Sequence, residues 1–153
     1  MISPIQIPVT GAEDPIDPRE PAGALAEFYR AFNSRDLASM ERNWDSSDDA
    51  SMDNPLGGIR RSWTEIRHVY ERVFEGVATV KVEFYDYTIH RFGETFIAVG
   101  RERGTLAAGD VSLELKIRTS RLFRLIGGRW RQIHHHGSIE DAGLLARYQA
   151  AVR

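Results

Sequence analysis

The sequence contains no cysteine. Its absence excludes disulfide bonds, thiol catalysis and cysteine-ligated zinc. A chain without thiols also fits a reducing compartment, where disulfides rarely form. We therefore predict a cytoplasmic location.

Long hydrophobic runs and an excess of either charge are also missing. No apolar stretch approaches the roughly 18 residues that a membrane-spanning helix needs, and the opening MISPIQIPVT has no basic segment of the kind that begins a signal peptide. The 20 basic and 22 acidic residues give a net charge of −2. The sequence therefore predicts neither a membrane nor a nucleic-acid partner.

Proline is scarce beyond the first 20 residues, which hold four of the six prolines in the chain. Proline favours extended backbone and removes a hydrogen-bond donor. We predict an N-terminal arm at residues 1–20, either a plain disordered tail or a segment draped over the surface or a partner. Residues 21–153 then form one domain, a usual size for a single core.

Helical periodicity dominates the first half of the domain. Leu25, Phe28, Tyr29 and Phe32 are spaced i, i+3, i+4 and i+7, which predicts a helix over residues 21–34. Asp36 can cap a short second helix. A capping box, Ser-x-x-Glu, at residues 62–65 predicts the start of a third helix that ends near Gly76.

From residue 77 the period changes to two, which indicates strands. The predicted strands cover residues 79–91, 95–107, 111–126 and 129–138, with a short earlier strand at 50–54 and a last helix at 140–150. Helices followed by a strand meander are typical of an α+β domain. We expect a strongly curved antiparallel sheet closed by the helices.

The segment RLFRLIGGRWRQIHHHGS, residues 121–138, predicts a hairpin that turns at Gly127-Gly128. A regular register from that turn places Arg121 opposite His134 and Thr119 opposite His136. Opposed residues share a face of the sheet. We therefore expect one polar face to carry Arg121, Thr119, His134, His136 and Ser138.

Two stretches resemble the nuclear-transport-factor-2-like superfamily, which includes SnoaL-like cyclases, ketosteroid isomerases and the association domain of calcium/calmodulin-dependent protein kinase II. SMDNPLGGIRRSWTEIRHVYERVF resembles the isomerase turn that precedes the third helix. RLFRLIGGRWRQIHHHGS resembles the association-domain ending, His-x-His-x-Ser. The resemblance implies a cone-shaped, cystatin-like fold, in which N-terminal helices pack inside a curved sheet, plus a C-terminal helix.

The isomerase residues are only partly present. Its aspartate base corresponds to Asn54, and Asp53 lies one residue earlier, on the opposite face of a strand. Its oxyanion tyrosine corresponds to Phe28, beside Tyr29. The resemblance therefore does not imply standard steroid isomerase chemistry.

The association-domain resemblance instead places Arg121 and Arg101 on two arginines that line that family's pocket. Whether they share a face depends on the turn near Ala108-Gly109. A two-residue turn separates them, whereas a three-residue turn brings them together, and the resemblance favours the second.

We predict that the concave pocket binds a small anionic organic molecule, with or without turnover. His134, His136 and Asp53 are the candidate catalytic residues, since histidine and aspartate exchange protons. A metal is not expected, because Arg121 is predicted to face His134. The candidate ligand-binding residues are Arg121, Arg101, Thr119, Ser138, Phe28, Tyr29, Trp44 and Trp63.

These residues have structural alternatives. The histidines could be satisfied core residues, and Arg121 could pair with Glu102 or Glu114. If the protein is an enzyme, we expect SnoaL-like proton transfer, cyclisation, isomerisation or dehydration without a cofactor. The alternative is a non-catalytic assembly or ligand-sensing module.

The outer sheet face is half apolar and predicts a homodimer. We expect it to carry Leu122, Ile133, Arg124, Arg131 and His135.

Overall fold

A computed structural model describes residues 1–152. The helices are α1 (Pro21–Asn33), α2 (Leu37–Asn43), α3 (Ser62–Glu75) and α4 (Ala142–Ala151). The strands are β1 (Ser51–Asp53), β2 (Arg60–Arg61), β3 (Thr79–Phe92), β4 (Thr95–Ala108), β5 (Val111–Ile126) and β6 (Arg129–Ser138). No helix in this range is long and apolar enough to cross a membrane.

The six strands form one curved sheet in the order β2-β1-β6-β5-β4-β3. The four long strands are antiparallel neighbours, and the short β1 runs parallel to β6. Two-residue turns join the long strands, and Gly93, Gly109, Gly127 and Gly128 in these turns have positive φ. The predicted α+β cone fold is confirmed.

The helices pack into the concave face of the sheet, which we call the inner face. Leu25, Phe28 and Tyr29 of α1 are fully buried there, so the predicted stripe is the packing face of the helix. Phe96, Phe123 and Trp130 line the same core from the sheet, and the first two rings stack at 4.7 Å. The opposite, outer face of the sheet is largely exposed.

The start of α3 differs from the predicted capping box. Helix α3 begins at Ser62, and its N-cap is Arg61, whose backbone N–H donates to Glu65 at 2.7 Å. Ser62 has a φ of 68° and makes no capping bond. Glu65 therefore accepts a hydrogen bond from the N-cap backbone, as in a capping box, but the N-cap residue is Arg61 and not Ser62.

The N-terminal arm is draped along β3. Ile5 and Val9 exchange backbone hydrogen bonds with Tyr87 and Phe84, at 2.7–3.2 Å. Asn33 at the end of α1 joins the arm to the sheet. Its Nδ2 donates to the carbonyls of Thr10 and Val82 at 3.0 and 2.8 Å, and its Oδ1 accepts from the Val82 N–H at 2.9 Å.

We predict that Asn33→Ala lowers the free energy of unfolding by about 2–3 kcal/mol, because it leaves partly buried backbone groups without partners. Urea denaturation followed by circular dichroism measures the change. Ser34→Ala is the control, since the Ser34 hydroxyl bonds only to carbonyls of its own helix. Equal stability of the two variants would contradict the role given to Asn33.

Candidate functional site

An irregularity in the β5–β6 hairpin decides which residues reach the inner face. The predicted register holds from Ile126 opposite Arg129 as far as Phe123 opposite Gln132. A β-bulge then adds one residue to β6, so Leu122 pairs with His134 and Arg121 with His135. Because one extra residue reverses the faces of all that follow, the predicted pairing of Arg121 with His134 is wrong.

The predicted polar face is therefore divided between the two sides of the sheet. Arg121 and Thr119 lie on the inner face, and both are 2% exposed. His134, His136 and Ser138 lie on the outer face. His135, which we predicted on the outer face, is buried beside Arg121 instead.

Arg101 is also on the outer face. The β4–β5 turn has two residues, Gly109-Asp110, and this places Arg101 opposite Arg118. Arg101 and Arg121 therefore do not share a face, contrary to the arrangement that the resemblance favoured. The next residue, Glu102, is the one that turns inward.

Arg121 and Glu102 form a buried ion pair at the centre of the inner face. The Arg121 Nη2 donates to Glu102 Oε1 at 2.9 Å, and the side chains are 3% and 7% exposed. Arg121 Nη1 donates to Gln132 Oε1 at 2.8 Å, and Nε donates to the Tyr29 hydroxyl at 3.2 Å. The Tyr29 hydroxyl in turn donates to Glu102 Oε1 at 3.0 Å.

Aromatic rings and the N-terminal helices hold this pair in place. The guanidinium lies 3.6 Å from the centre of the Phe28 ring, a cation–π contact. Gln132 donates to Asn43, and Asn43 donates to the carbonyl of Ala24, so the network reaches α2 and α1. Phe28 and Tyr29, both predicted site residues, therefore belong to this network.

The Arg121 guanidinium stays charged in this setting. Burial by itself would lower its pKa, but Tyr29 and Glu102 raise the pKa above its ordinary value. Burial raises the pKa of Tyr29 well above 10, so its hydroxyl stays protonated and can donate. All three Arg121 nitrogens already have acceptors, and Glu102 balances the charge.

A cavity of about 60 Å³ lies beside the ion pair. Its apolar wall comes from α1, α3, β1, β5 and the turn after β1. Tyr70, Tyr148, His135, Arg121 and Glu102 contribute polar groups. The remaining lining residues are Phe28, Phe32, Met52, Asn54, Pro55, Leu56, Val69, Val73 and Ile117.

His135 is a neutral imidazole in this wall. Burial, with a further contribution from Arg121, lowers the pKa of His135 well below 6.5. Its Nδ1 lies 3.4 Å from the Ser120 carbonyl oxygen, which assigns the ring proton to Nδ1. No group within residues 1–152 hydrogen-bonds to Nε2, so this atom is a free acceptor.

Gly137 provides the space for that ring. A Cβ at this position would lie 3.2 Å from His135 Nε2 and 2.9 Å from Pro55 Cδ. Only a residue without a side chain therefore lets the imidazole and the Pro55 turn meet here.

The two cavity tyrosines are hydrogen-bond donors. Burial raises the pKa of Tyr70 to about 12, against smaller opposing effects of Arg121 and the Trp44 indole. Burial also raises the pKa of Tyr148 on α4. At neutral pH the cavity thus combines phenol donors with one imidazole acceptor.

The predicted catalytic histidines form a separate outer cluster with Asp53. His136 Nδ1 lies 2.7 Å from Asp53 Oδ2, and His134 Nε2 lies 3.4 Å from Oδ1. Ser51 is 2.8 Å from His134 Nδ1. The three predicted catalytic residues do come together, but on the half-exposed outer face rather than in the cavity.

The other predicted residues have structural contacts. Trp44 and Trp63 stack in the core, with ring centres 6.4 Å apart, and neither lines the cavity. The buried Thr119 hydroxyl has no partner within residues 1–152. Ser138 accepts a hydrogen bond from Arg118 at 3.2 Å.

Sequence reasoning missed His135 and Tyr148 as cavity residues, and it considered Tyr70 only as one of several tyrosines that could offer a hydroxyl to the cavity. All three have side chains that can donate or accept a proton. A hairpin without the bulge, however, places His135 on the outer face. Glu102 was named only as a structural partner of Arg121, and that alternative is the one the structure shows.

Comparison with protein families gives one match. Residues 22–142 match the model of the SnoaL-like domain. The chain belongs to this family. No curated protein matches the sequence.

Solved structures agree on the fold. A proposed dehydratase of the nuclear transport factor 2-like family from Streptomyces avermitilis is 18% identical, with a TM-score of 0.71 over 78% of this chain and 92% of that one. A proposed calcium/calmodulin-dependent protein kinase type II association domain from Thiobacillus denitrificans is 22% identical, with a TM-score of 0.70 over 84% and 100%. At these identities the likeness concerns the fold alone.

We predict strong coupling between Arg121 and Glu102 in stability. Arg121→Met or Glu102→Leu alone should lower the free energy of unfolding by about 3–5 kcal/mol, because each leaves a buried charge unpaired. The double variant should lose at least about 2 kcal/mol less than the sum of the single losses. Urea denaturation of all four proteins measures this, and additive losses would contradict the pairing.

We predict that His135 makes the protein less stable as pH falls below about 6.5. Its pKa is lowered in the folded state, so in this window the unfolded chain binds a proton that the folded protein does not. Stability then falls by up to about 1.4 kcal/mol per pH unit. His135→Leu should remove this part of the slope in urea denaturation between pH 7.5 and 5.

Ile117→Val, which changes the same cavity wall and removes no titratable group, provides the control for this measurement and should keep the wild-type slope. An unchanged slope in His135→Leu would show that the histidine is not buried as a neutral group.

Proposed function

We propose that the chain binds a small, mainly apolar organic molecule with a carbonyl or hydroxyl group in the inner cavity, and that His135 exchanges a proton with it. The free Nε2 of a neutral imidazole in a mainly apolar wall carries this proposal. Ligand sites typically combine such walls with a few convergent polar groups. The SnoaL-like fold is consistent with binding or catalysis of this kind.

The geometry suits proton transfer next to a carbonyl. His135 Nε2 takes a proton from the carbon beside the carbonyl, and the electron pair of that C–H bond moves to form an enolate. The phenol donors Tyr70 and Tyr148 stabilise the oxygen that becomes negative. Where a C=C bond adjoins that carbon, the enolate is conjugated, and return of the proton to the far carbon of the C=C bond shifts the double bond and completes an isomerisation without a cofactor.

The cavity has room for part of such a molecule. Its volume of about 60 Å³ is well below the roughly 300 Å³ of a typical ligand pocket. Helix α4 covers it through Tyr148, and Gln149 donates to the Leu56 carbonyl at 3.3 Å across the opening. Binding of a whole ligand therefore involves outward movement of α4 or of the turn at Leu56.

An anionic ligand, as predicted from the sequence, stays a second candidate. Arg121 lines the cavity and carries a positive charge, which favours an anion. Its three nitrogens are occupied, however, and Glu102 balances its charge. These contacts favour a neutral or weakly acidic ligand over a fully charged one.

A non-catalytic assembly or ligand-sensing role is the alternative function. The likeness in fold to the proposed kinase association domain of Thiobacillus denitrificans motivates it. This role predicts oligomers larger than a dimer in sedimentation. The enzyme proposal fits the homodimer that we predict from the half-apolar outer face, and a cytoplasmic location stays a prediction.

We predict that cyclohexanone binds in the cavity more tightly than cyclohexanecarboxylate. Titration followed by protein NMR should show shifts at His135, Ile117 and Tyr148. His135→Leu should weaken the binding of cyclohexanol, whose hydroxyl donates to the free Nε2, about tenfold, since this hydrogen bond is lost. Its neighbour His134 points outward, so His134→Gln should bind like the wild type.

Tighter binding of the carboxylate would favour the anionic ligand. Failure of both compounds to bind, or equal effects of the two histidine variants, would contradict the cavity proposal.

Proton transfer is tested separately, by exchange of the cyclohexanone α-protons for deuterium in D₂O. A positioned base contributes about 10²-fold or more, so His135→Gln should lose at least that factor and His134→Gln should not. The rate should rise with pH through the lowered pKa of His135 and then level off. Binding without faster exchange would favour the ligand-sensing role.

A further inference from the structure

The register of the β4–β5 pair places like charges face to face on the outer side of the sheet. Arg101 lies directly opposite Arg118, and Arg103 lies directly opposite Lys116. Side chains in such pairs begin about 5 Å apart, and like charges there are destabilising. Four basic residues therefore form one block beside the sheet centre.

The closest approach of an acidic neighbour to each central arginine is at its Nε atom. Arg101 Nε lies 3.4 Å from Asp86, and Arg118 Nε lies 3.1 Å from Glu140. Arg118 Nε also donates to Ser138 at 3.2 Å. Within residues 1–152 the terminal Nη atoms of both arginines make no hydrogen bond, and the side chains are 52% and 58% exposed.

A second opposed pair on the same face shows the contrast. Arg124 lies opposite Arg131. There Arg124 Nη2 donates to Asp45 at 3.3 Å, and Arg131 Nη1 donates to the Arg42 carbonyl at 2.8 Å. The protein thus provides acceptors for the terminal nitrogens of one arginine pair and leaves those of the other open.

A depression of about 500 Å³ lies beside the open pair. Besides Arg101 and Arg118, its wall includes hydroxyl groups and an imidazole. The residues that supply them are Thr88, Ser120, Ser138 and His136. Asp86, which pairs with Arg101, also lines the recess. Pro4 of the N-terminal arm, Val99, Gly100 and Thr119 complete the wall, so the site is a shaped recess and not a flat charged surface.

We propose that this recess binds an oxyanion, the phosphate or carboxylate group of a small molecule, between Arg101 and Arg118. Two guanidinium groups present parallel N–H donors that match such a group in a bidentate manner. The anion also offsets the repulsion between the opposed charges. The hydroxyl groups of Ser120 and Ser138 provide neutral donors at the side.

The same face does not favour a second copy of the chain at this position. Among the apolar residues that suit a subunit contact, Ile97 and Leu122 lie outside the recess, nearer the other end of the β4–β5 pair, whereas Val99 lines its wall. The recess carries two guanidinium groups, and it lies beside that apolar area. The oxyanion site is also independent of the inner cavity, which opens on the opposite face.

Titration with inorganic phosphate at low ionic strength, followed by protein NMR, tests the proposal. We expect shifts at Arg101, Arg118 and Ser120, and weaker binding as salt is added, since exposed charges are screened. Arg101→Gln and Arg118→Gln should each weaken binding about tenfold. Arg72→Gln, which removes the same charge from α3, should leave it unchanged.

Asp86→Asn tests whether removal of the carboxylate that pairs with Arg101 strengthens phosphate binding. Asn tolerates the positive φ of 47° at this position. Without the carboxylate, Arg101 loses its competing partner, and phosphate should bind several-fold more tightly. Acetate titrated in parallel decides whether the recess takes carboxylates as well as phosphates.

No phosphate or acetate binding in the wild type would overturn the proposal. Equal binding in the wild type and in the Arg101→Gln/Arg118→Gln double variant would also overturn it. If the double variant instead changes sedimentation and leaves phosphate binding intact, the arginines serve a subunit contact. Cyclohexanone binding in the inner cavity is unaffected by any of these outcomes.

Discussion

The buried pair of Arg121 and Glu102 is the interaction on which the interior depends. Two charges with side chains less than a tenth exposed require both mutual pairing and further hydrogen bonds. Tyr29, Gln132 and the Phe28 ring provide these, and they come from α1 and β6. The position of α1 inside the sheet is thereby tied to the register of three strands.

This constraint also shapes the candidate site. Because Arg121 and Glu102 balance each other's charge, they present the cavity with a fixed dipole and almost no net charge. His135, which Arg121 helps to keep neutral, then adds an uncharged acceptor to the cavity wall beside the paired Glu102 carboxylate. The ionic network and the imidazole act together as a preorganised polar wall in an apolar enclosure.

The sequence predicted the fold well because period and turn chemistry are local signals. The stripe of Leu25, Phe28 and Tyr29 and the turn at Gly127-Gly128 both appear where expected. The faces of the residues beyond the turn depend on the bulge after Phe123, which no local pattern encodes. Because of this extra residue, His134 and His136 lie on the outer face and His135 on the inner face, the reverse of the prediction.

The site was predicted less well for the same reason. Arg121, which the sequence singled out, lies at the centre of the inner face, and Phe28 and Tyr29 contact it. Its partner depended on the parity of the Gly109-Asp110 turn, which selects between Arg101 and Glu102. A shift of one residue in this turn decides whether a second arginine or a glutamate faces Arg121. Composition does not predict the position of the turn.

The arm along β3 has a consequence for association between molecules. An uncovered strand edge pairs readily with the edge of another chain. Here Ile5 and Val9 occupy backbone groups of β3, and the opposite edge is β2, a strand of two residues. Neither edge offers a long template, so contact between copies is directed to the faces of the sheet, and growth into extended ribbons is disfavoured.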